Sequence, residues 1–135
     1  MSEEMDRELV RAAQEVRKLA YAPYSGFLVG SAIRSRSGRI FTGCNVENSS
    51  YGLTICAERV ALAKAVSEGE RDFDAIVVCA PGAPAPCGAC RQVLHEFSPQ
   101  LTVFLVDPDK APVERVDLCN LLPAAFDGTS LDTAC

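Results

Sequence analysis

The sequence predicts an α/β fold: a three-layer α-β-α sandwich built on a mixed sheet of five strands. Three observations predict it. An amphipathic helical period opens the chain, five short runs read as strands, and strands alternate with helices through the second half. Such alternation implies parallel strands joined by right-handed crossovers. At 135 residues, with 48% of them hydrophobic, the chain matches one domain, residues 1–135, with enough apolar side chains for a core.

Taken in order, Met5, Leu9, Ala12, Ala13, Val16, Leu19 and Ala20 recur at three- and four-residue spacing, which marks one face of a helix from about Glu4 to Ala20. Tyr21-Ala22-Pro23-Tyr24-Ser25-Gly26 breaks it. Phe27 to Ser35 then reads as a strand, and the Ser37-Gly38 turn folds a second strand, Arg39 to Asn45, back against it as a hairpin. A polar segment, Asn45 to Gly52, delivers the chain to a helix from about Cys56 to Glu68 that stops at Gly69. Ala75 to Ala80 is a continuous apolar run typical of a buried strand. A loop rich in Pro and Gly, Pro81 to Pro86, leads to a helix from about Cys87 to Phe97, and Thr102 to Asp107 is a further apolar strand. Pro112 to Val116 reads as an edge strand and Asp117 to Leu122 as a short helix stopped by Pro123.

Two stretches carry the chemistry, Thr54-Ile55-Cys56-Ala57-Glu58-Arg59 and Pro86-Cys87-Gly88-Ala89-Cys90-Arg91. The two-residue spacing of Cys87 and Cys90 lets both sulfurs in the first turn of a helix face one ion, and Cys56 supplies a third ligand. Three protein ligands leave a tetrahedral zinc one position short, the arrangement of a catalytic site, whereas a structural zinc is closed by four protein groups. Glu58, two residues after a ligand, is placed to move protons without coordinating the metal. Cys-x-Glu followed by a distant Pro-Cys-x-x-Cys is the zinc deaminase pattern. Such a site belongs beyond the strand ends, where open α/β sheets bind ligands.

Other readings stand beside this one. Cys-Gly-Ala-Cys at a helix start is also a redox pair, and a structural zinc would take Cys44, Cys79, Cys119 or His95 as fourth ligand. Neither gives Glu58 a task. His95 reads as a helix-surface residue, and Cys44, Cys79, Cys119 and Cys135 as buried or terminal thiols. A net charge of -5 and a pI near 4.8 argue against a nucleic-acid partner, because backbone binding relies on Lys and Arg. The expected substrate is a small molecule. Met1 to Asp6 is acidic and lacks a signal-peptide core, so a reducing, cytoplasmic setting is expected. No apolar run approaches the ~20 residues of a membrane span.

The motifs together resemble the small homotetrameric cytidine deaminases. Tyr21-Ala22-Pro23-Tyr24-Ser25-x-Phe27-x-Val29-Gly30, Gly43-x-Asn45-Val46-Glu47-Asn48-x-Ser50-Tyr51-Gly52, Cys56-Ala57-Glu58-Arg59, Pro86-Cys87-Gly88-Ala89-Cys90-Arg91-Gln92-Val93 and Leu121-Leu122-Pro123-x-x-Phe126 follow that family in order and spacing. After Phe126 the chain departs from it, with Asp127-Gly128 where Gly-Pro is common. The resemblance implies one zinc per subunit on Cys56, Cys87 and Cys90, with Glu58 as the catalytic acid and base. It implies that Asn45 and Glu47 hold the ribose 3'-hydroxyl, that Phe27 packs on the nucleoside, and that Ala57 lines the substrate. Arg59 would contact ligand sulfurs. Phe126 and Tyr51 would complete a neighbouring subunit's pocket. From residue type alone, Asn45 and Glu47 equally suit a loop that caps the next helix, Phe27 suits a core position, and Arg59 an exposed helix face.

The implied activity is hydrolysis of cytidine and 2'-deoxycytidine to the uridines with release of ammonia, a pyrimidine salvage reaction. Alternatives are a deaminase of an aminonucleoside antibiotic, which shares the zinc half of the pattern, and a non-catalytic zinc-binding or redox module.

Overall fold

The computed structural model describes residues 3–132. Its centre is a five-stranded mixed sheet in the order β2-β1-β3-β4-β5. β1 (Gly30–Ser35) pairs antiparallel with β2 (Ile40–Cys44) through the predicted hairpin, and antiparallel with β3 (Phe73–Cys79) on its other side. β3 runs parallel to β4 (Thr102–Val106), and β5 (Glu114–Asp117) closes the edge antiparallel to β4.

Alternation along the central strands sorts side chains to two faces, as the period of two in a strand demands. Ala75, Val77 and Cys79 of β3 and Phe104 and Val106 of β4 pack under α1 (Glu3–Arg17), against its Leu9 and Ala13. Ile76, Val78, Val103 and Leu105 face the other way. They join Leu62 and Ala65 of α2 (Ala57–Ser67), Leu94 of α3 (Gly88–Phe97) and Leu118 of α4 (Leu118–Leu121). Helices on both faces are what make β3 nearly continuous in apolar residues. A short α5 (Gly128–Asp132) follows. This is the three-layer sandwich the sequence predicts.

One glycine governs the distance between α2 and the sheet. A Cβ on Gly43 of β2 would stand 2.4 Å from the Ala61 nitrogen and 2.6 Å from the Ala57 carbonyl oxygen. Only a bare backbone admits the first turns of α2 there.

Arg34 of β1, 2% exposed, fixes α1. Its guanidinium pairs with Asp74 of β3 at 3.0 Å and with Asp6 of α1 at 3.1 Å.

Two boundaries differ from expectation by three residues, more than any other. The first helix ends at Arg17, leaving Leu19 75% exposed, because the chain is already turning towards Tyr21, whose backbone bonds to Asn45 and Glu47. The first strand starts at Gly30 and not Phe27, because the Asn45 side chain takes the bonds a strand partner would make: Val29 N–H donates to its Oδ1 at 2.9 Å, and its Nδ2 donates to the Phe27 carbonyl at 2.8 Å. α5 was not anticipated.

Candidate zinc deaminase site

The site is assembled by two helix starts and a small backbone ladder. Val46 bridges Tyr21 on one side and Ile55 on the other, which brings the polar segment after β2 alongside the residue before Cys56. Cys56 is the N-cap of α2 and Cys87 the N-cap of α3, both in extended conformation, while Cys90 lies in the first turn of α3. The three sulfurs converge at the helices' positive ends. They lie within 4.8 Å of one another, with Cys56 and Cys87 at 3.9 Å. Tetrahedral zinc–sulfur bonds of about 2.3 Å set sulfurs about 3.8 Å apart, so the spacing fits that ion. Among the described residues, Cys44, Cys79, Cys119 and His95 stand outside the cluster, which removes the four-ligand structural reading.

The electrostatics fit a cation as well. Hydrogen bonding from Cys90, then from Arg59 and Cys87, lowers the Cys56 thiol to about 5, while the same contact with Cys56, together with burial, pushes Cys90 up. One thiolate is stabilised at the expense of its neighbour. A bound divalent ion is what allows all three to ionise together. Arg59 Nη2 donates to the Cys56 sulfur at 3.5 Å, and that bond raises the arginine pKa further.

Glu58 occupies the second position of α2 and is 4% exposed. Burial raises its carboxyl pKa, the negative Cys56 adds to the rise, and the hydrogen bond from its own backbone N–H opposes it. A carboxyl raised in this way gives up its proton less readily than an exposed one and is the better fitted to return it to a reacting group.

A cavity of about 320 Å³ opens beside the sulfurs, lined by Phe27, Asn45, Cys56, Ala57, Glu58 and Cys87 among others. It collects these six residues predicted for metal, chemistry and substrate together with one wall, drawn from Val78 to Ala85, that sequence reasoning did not assign. The signal for that wall was its place at the end of a buried strand and just before the Cys87–Cys90 pair. Thr54, also unassigned, lines this cavity and a neighbouring recess of about 230 Å³ formed with Tyr24, Ser25, Glu47 and Tyr51.

Asn45 is 7% exposed and, with one bond at each end of its amide, keeps a second N–H available. Glu47 accepts from the backbone N–H groups of Tyr24 and Ser25 and from the Ser25 hydroxyl, and the hydroxyl bond leads in lowering its pKa. Both side chains therefore moor the loop that carries Phe27. The helix-capping alternative does not hold for either, since α2 has no side-chain cap.

Of the residues predicted to meet the substrate, Glu47, Tyr51 and Phe126 do not line this cavity. Tyr51 is 74% exposed, leaning on Tyr24 at 5.8 Å between ring centres, and Phe126 is 59% exposed with only its carbonyl held, by Gln92 Nε2 at 2.8 Å. His95 is half-buried and outside the cysteine cluster, and its Nδ1 is buried without a hydrogen-bond partner among the described residues. Cys79 is buried as expected, Cys44 is half-buried and Cys119 exposed, while Cys135 lies outside the described residues.

Comparison with known proteins agrees with this geometry. Residues 3–106 match the family model of the cytidine and deoxycytidylate deaminase zinc-binding region. The chain belongs to that family. The cytidine deaminase of Sporosarcina psychrophila is 46% identical to this deaminase over 134 residues, 96% of this chain and 98% of that protein. The crystal structure of cytidine deaminase from Burkholderia pseudomallei superposes with a TM-score of 0.86 at 46% identity, covering 93% of this chain and all of that one. Blasticidin-S deaminase of Bacillus cereus is 32% identical over 112 residues, 76% of this chain and 79% of that protein. Zinc is the metal of the family, and the deaminase has a three-cysteine cluster that fits it. No helix among the described residues is long and apolar enough to cross a membrane.

Proposed function

We propose that this single-domain deaminase hydrolyses cytidine and 2'-deoxycytidine to uridine and 2'-deoxyuridine, releasing ammonia, in cytoplasmic pyrimidine salvage. The observation that carries the reading is Glu58, buried with a raised pKa on the wall of a cavity that Cys56 and Cys87 also line, two of the three clustered sulfurs. Cys56, Cys87 and Cys90 hold one zinc per subunit. When bound, the metal supplies a Lewis acid that lowers the pKa of a water from 15.7 towards ~7. Glu58 takes a proton from the attacking water and gives it to ring nitrogen 3. It then carries the water's second proton to the amino group leaving ring carbon 4. Cytidine and water thus become uridine and ammonia with one carboxyl acting as base and then acid. Phe27 packs against the nucleoside, and Ala57 lines its pocket. The free Asn45 N–H and the Glu47 carboxylate receive the ribose 3'-hydroxyl, and Arg59 offsets thiolate charge.

Loss of the cytidine absorbance band, followed alongside zinc content, tests the reading. Turnover of cytidine proportional to bound zinc, with blasticidin S turned over far less, is expected. Zinc-loaded protein inert towards cytidine and active on blasticidin S would establish the antibiotic deaminase instead.

The working unit is a homotetramer in which Phe126 and Tyr51 complete neighbouring pockets. What supports this is their exposure outside the cavity of their own chain. Hybrids of Glu58→Ala and Phe126→Ala subunits should exceed the mean activity of the two parents, because some sites then contain neither defect. Confirmed subunit exchange without recovery refutes the shared pocket.

A further inference from the structure

Arg91 follows Cys90 directly, yet its hydrogen bonds differ in kind from those of Arg59. The guanidinium forks between two backbone carbonyls: Nε donates to Pro86 O at 2.7 Å and Nη1 donates to Leu121 O at 2.9 Å. Pro86 is fully buried and immediately precedes Cys87. Its carbonyl shares a rigid peptide plane with the Cys87 nitrogen. Fixing that oxygen therefore anchors the peptide plane on which Cys87 is hung, leaving its φ and side-chain torsion as the remaining freedoms. The need is real, because Cys87 is exposed, sits at an N-cap with no side-chain capping bond, and is the ligand with the least packing around it. Leu121 lies 30 residues further on and ends α4, so the same side chain joins the turn before α3 to the C-terminal segment. Gln92, next in sequence, holds that segment again at the Phe126 carbonyl but makes no bond to the Pro86 turn.

We infer that Arg91 is a positioning residue that ties the Pro86-Cys87 turn to the C-terminal segment at Leu121, and that metal retention depends on this tie. The inference rests on Cys56, Cys87 and Cys90 being the zinc ligands. Partners that orient metal ligands typically change metal affinity 10- to 100-fold when removed. A two-carbonyl fork also explains why an arginine stands here, since a lysine ammonium is a single point of donation.

The test is zinc release from the purified zinc-loaded protein into a chromogenic chelator, with hydrogen exchange across residues 118–126 as a second readout. Arg91→Ala should release zinc at least about tenfold faster and lose amide protection around Leu121. Arg91→Lys should fall between it and the parent, and carries the test if the alanine variant does not fold. Gln92→Ala should stay within about twofold of the parent, lacking any bond to the turn. Parental release rates in both Arg91 variants overturn the inference, as does equal acceleration in Gln92→Ala, which would make the effect one of a loosened tail. Cys87→Ser separates the two levels of the argument. If it leaves zinc stoichiometry intact, the ligand assignment fails. If it strips the zinc while Arg91→Ala releases at the parental rate, the role of Arg91 alone fails.

Discussion

Gly43→Ala tests the link between packing and chemistry. The added methyl would stand 2.4 Å from the Ala61 nitrogen, 2.6 Å from the Ala57 carbonyl oxygen and 2.9 Å from the Val60 Cβ. Ordinary contact begins near 3.4 Å, so the two backbone approaches are short by about 1 Å. Neither neighbour can rotate away, being main chain in the first turns of α2. The helix must therefore lift from β2, and Cys56 and Glu58 travel with it. Overpacking of this kind costs about 1–3 kcal/mol, and two immovable contacts place this case near the upper end. A displacement of ~1 Å in a catalytic group costs up to about 10²-fold in turnover. Urea unfolding, zinc content and cytidine turnover measured on one preparation decide the matter. Gly128→Ala, whose methyl meets nothing within 4 Å, is the control and should unfold at the parental midpoint. A parental midpoint and full turnover in Gly43→Ala would mean that the spacing of α2 and β2 does not set the site.

Glu58→Gln should keep its zinc and lose at least ~10²-fold in turnover. Because burial disfavours the ionised carboxyl in the folded state, a neutral amide should leave thermal stability at pH 7 unchanged or higher. Near-normal activity in zinc-loaded protein refutes the proton-carrier role. Asn45→Ala removes the moorings of Phe27 O and Val29 N–H, so stability should fall by about 1–3 kcal/mol and KM for cytidine should rise more than kcat falls. An unchanged KM would show that Phe27 is held by other means. Arg34→Ala leaves Asp74 and Asp6 without their buried partner and should cost about 3–5 kcal/mol, while residual folded protein keeps its turnover because the pair lies away from the sulfur cavity. A stability loss under about 1 kcal/mol, the range of exposed pairs, would refute that account.

Much of this site could be read from spacing, because short-range spacing becomes geometry wherever a helix begins. Cys87 and Cys90, and Cys56 and Glu58, are each separated by less than one turn, so predicting two helix starts was enough to place four side chains. Strand patterning likewise predicted the sheet, since β3 and β4 are apolar on both faces. What escaped depends on partners remote in sequence. Nothing in Phe27-Leu28-Val29 says that the Asn45 side chain will take its backbone bonds and end the strand early. Gly43 looks like any strand glycine until α2 is laid on it. The periodicity through Leu19 is genuine, yet the helix stops because Tyr21 is needed in the ladder with Val46. Tyr51 and Phe126 line no part of the cavity beside the sulfurs, and no spacing in their motifs foretold that.

The charge of the ligand set gives a reason for two helix N-termini and an arginine to meet at the sulfurs. Three thiolates on a divalent ion would carry a net negative charge, which would oppose generation of another anion beside them. Two helix N-termini, each worth about half a positive charge, point at the sulfurs, and Arg59 contributes a full charge at 3.5 Å from one of them. Their sum opposes the negative charge that the thiolates bring. This has a consequence for Glu58. Its carboxyl must stay protonatable, so the compensating charge has to reach the sulfurs without dominating the carboxyl. Burial is the leading influence on Glu58 and the Arg59 attraction the least among those resolved, which leaves its pKa raised even with a guanidinium on the adjacent residue. Placing the arginine against Cys56, and burying the acid beside it, thus separates two requirements that a uniformly positive pocket could not meet together.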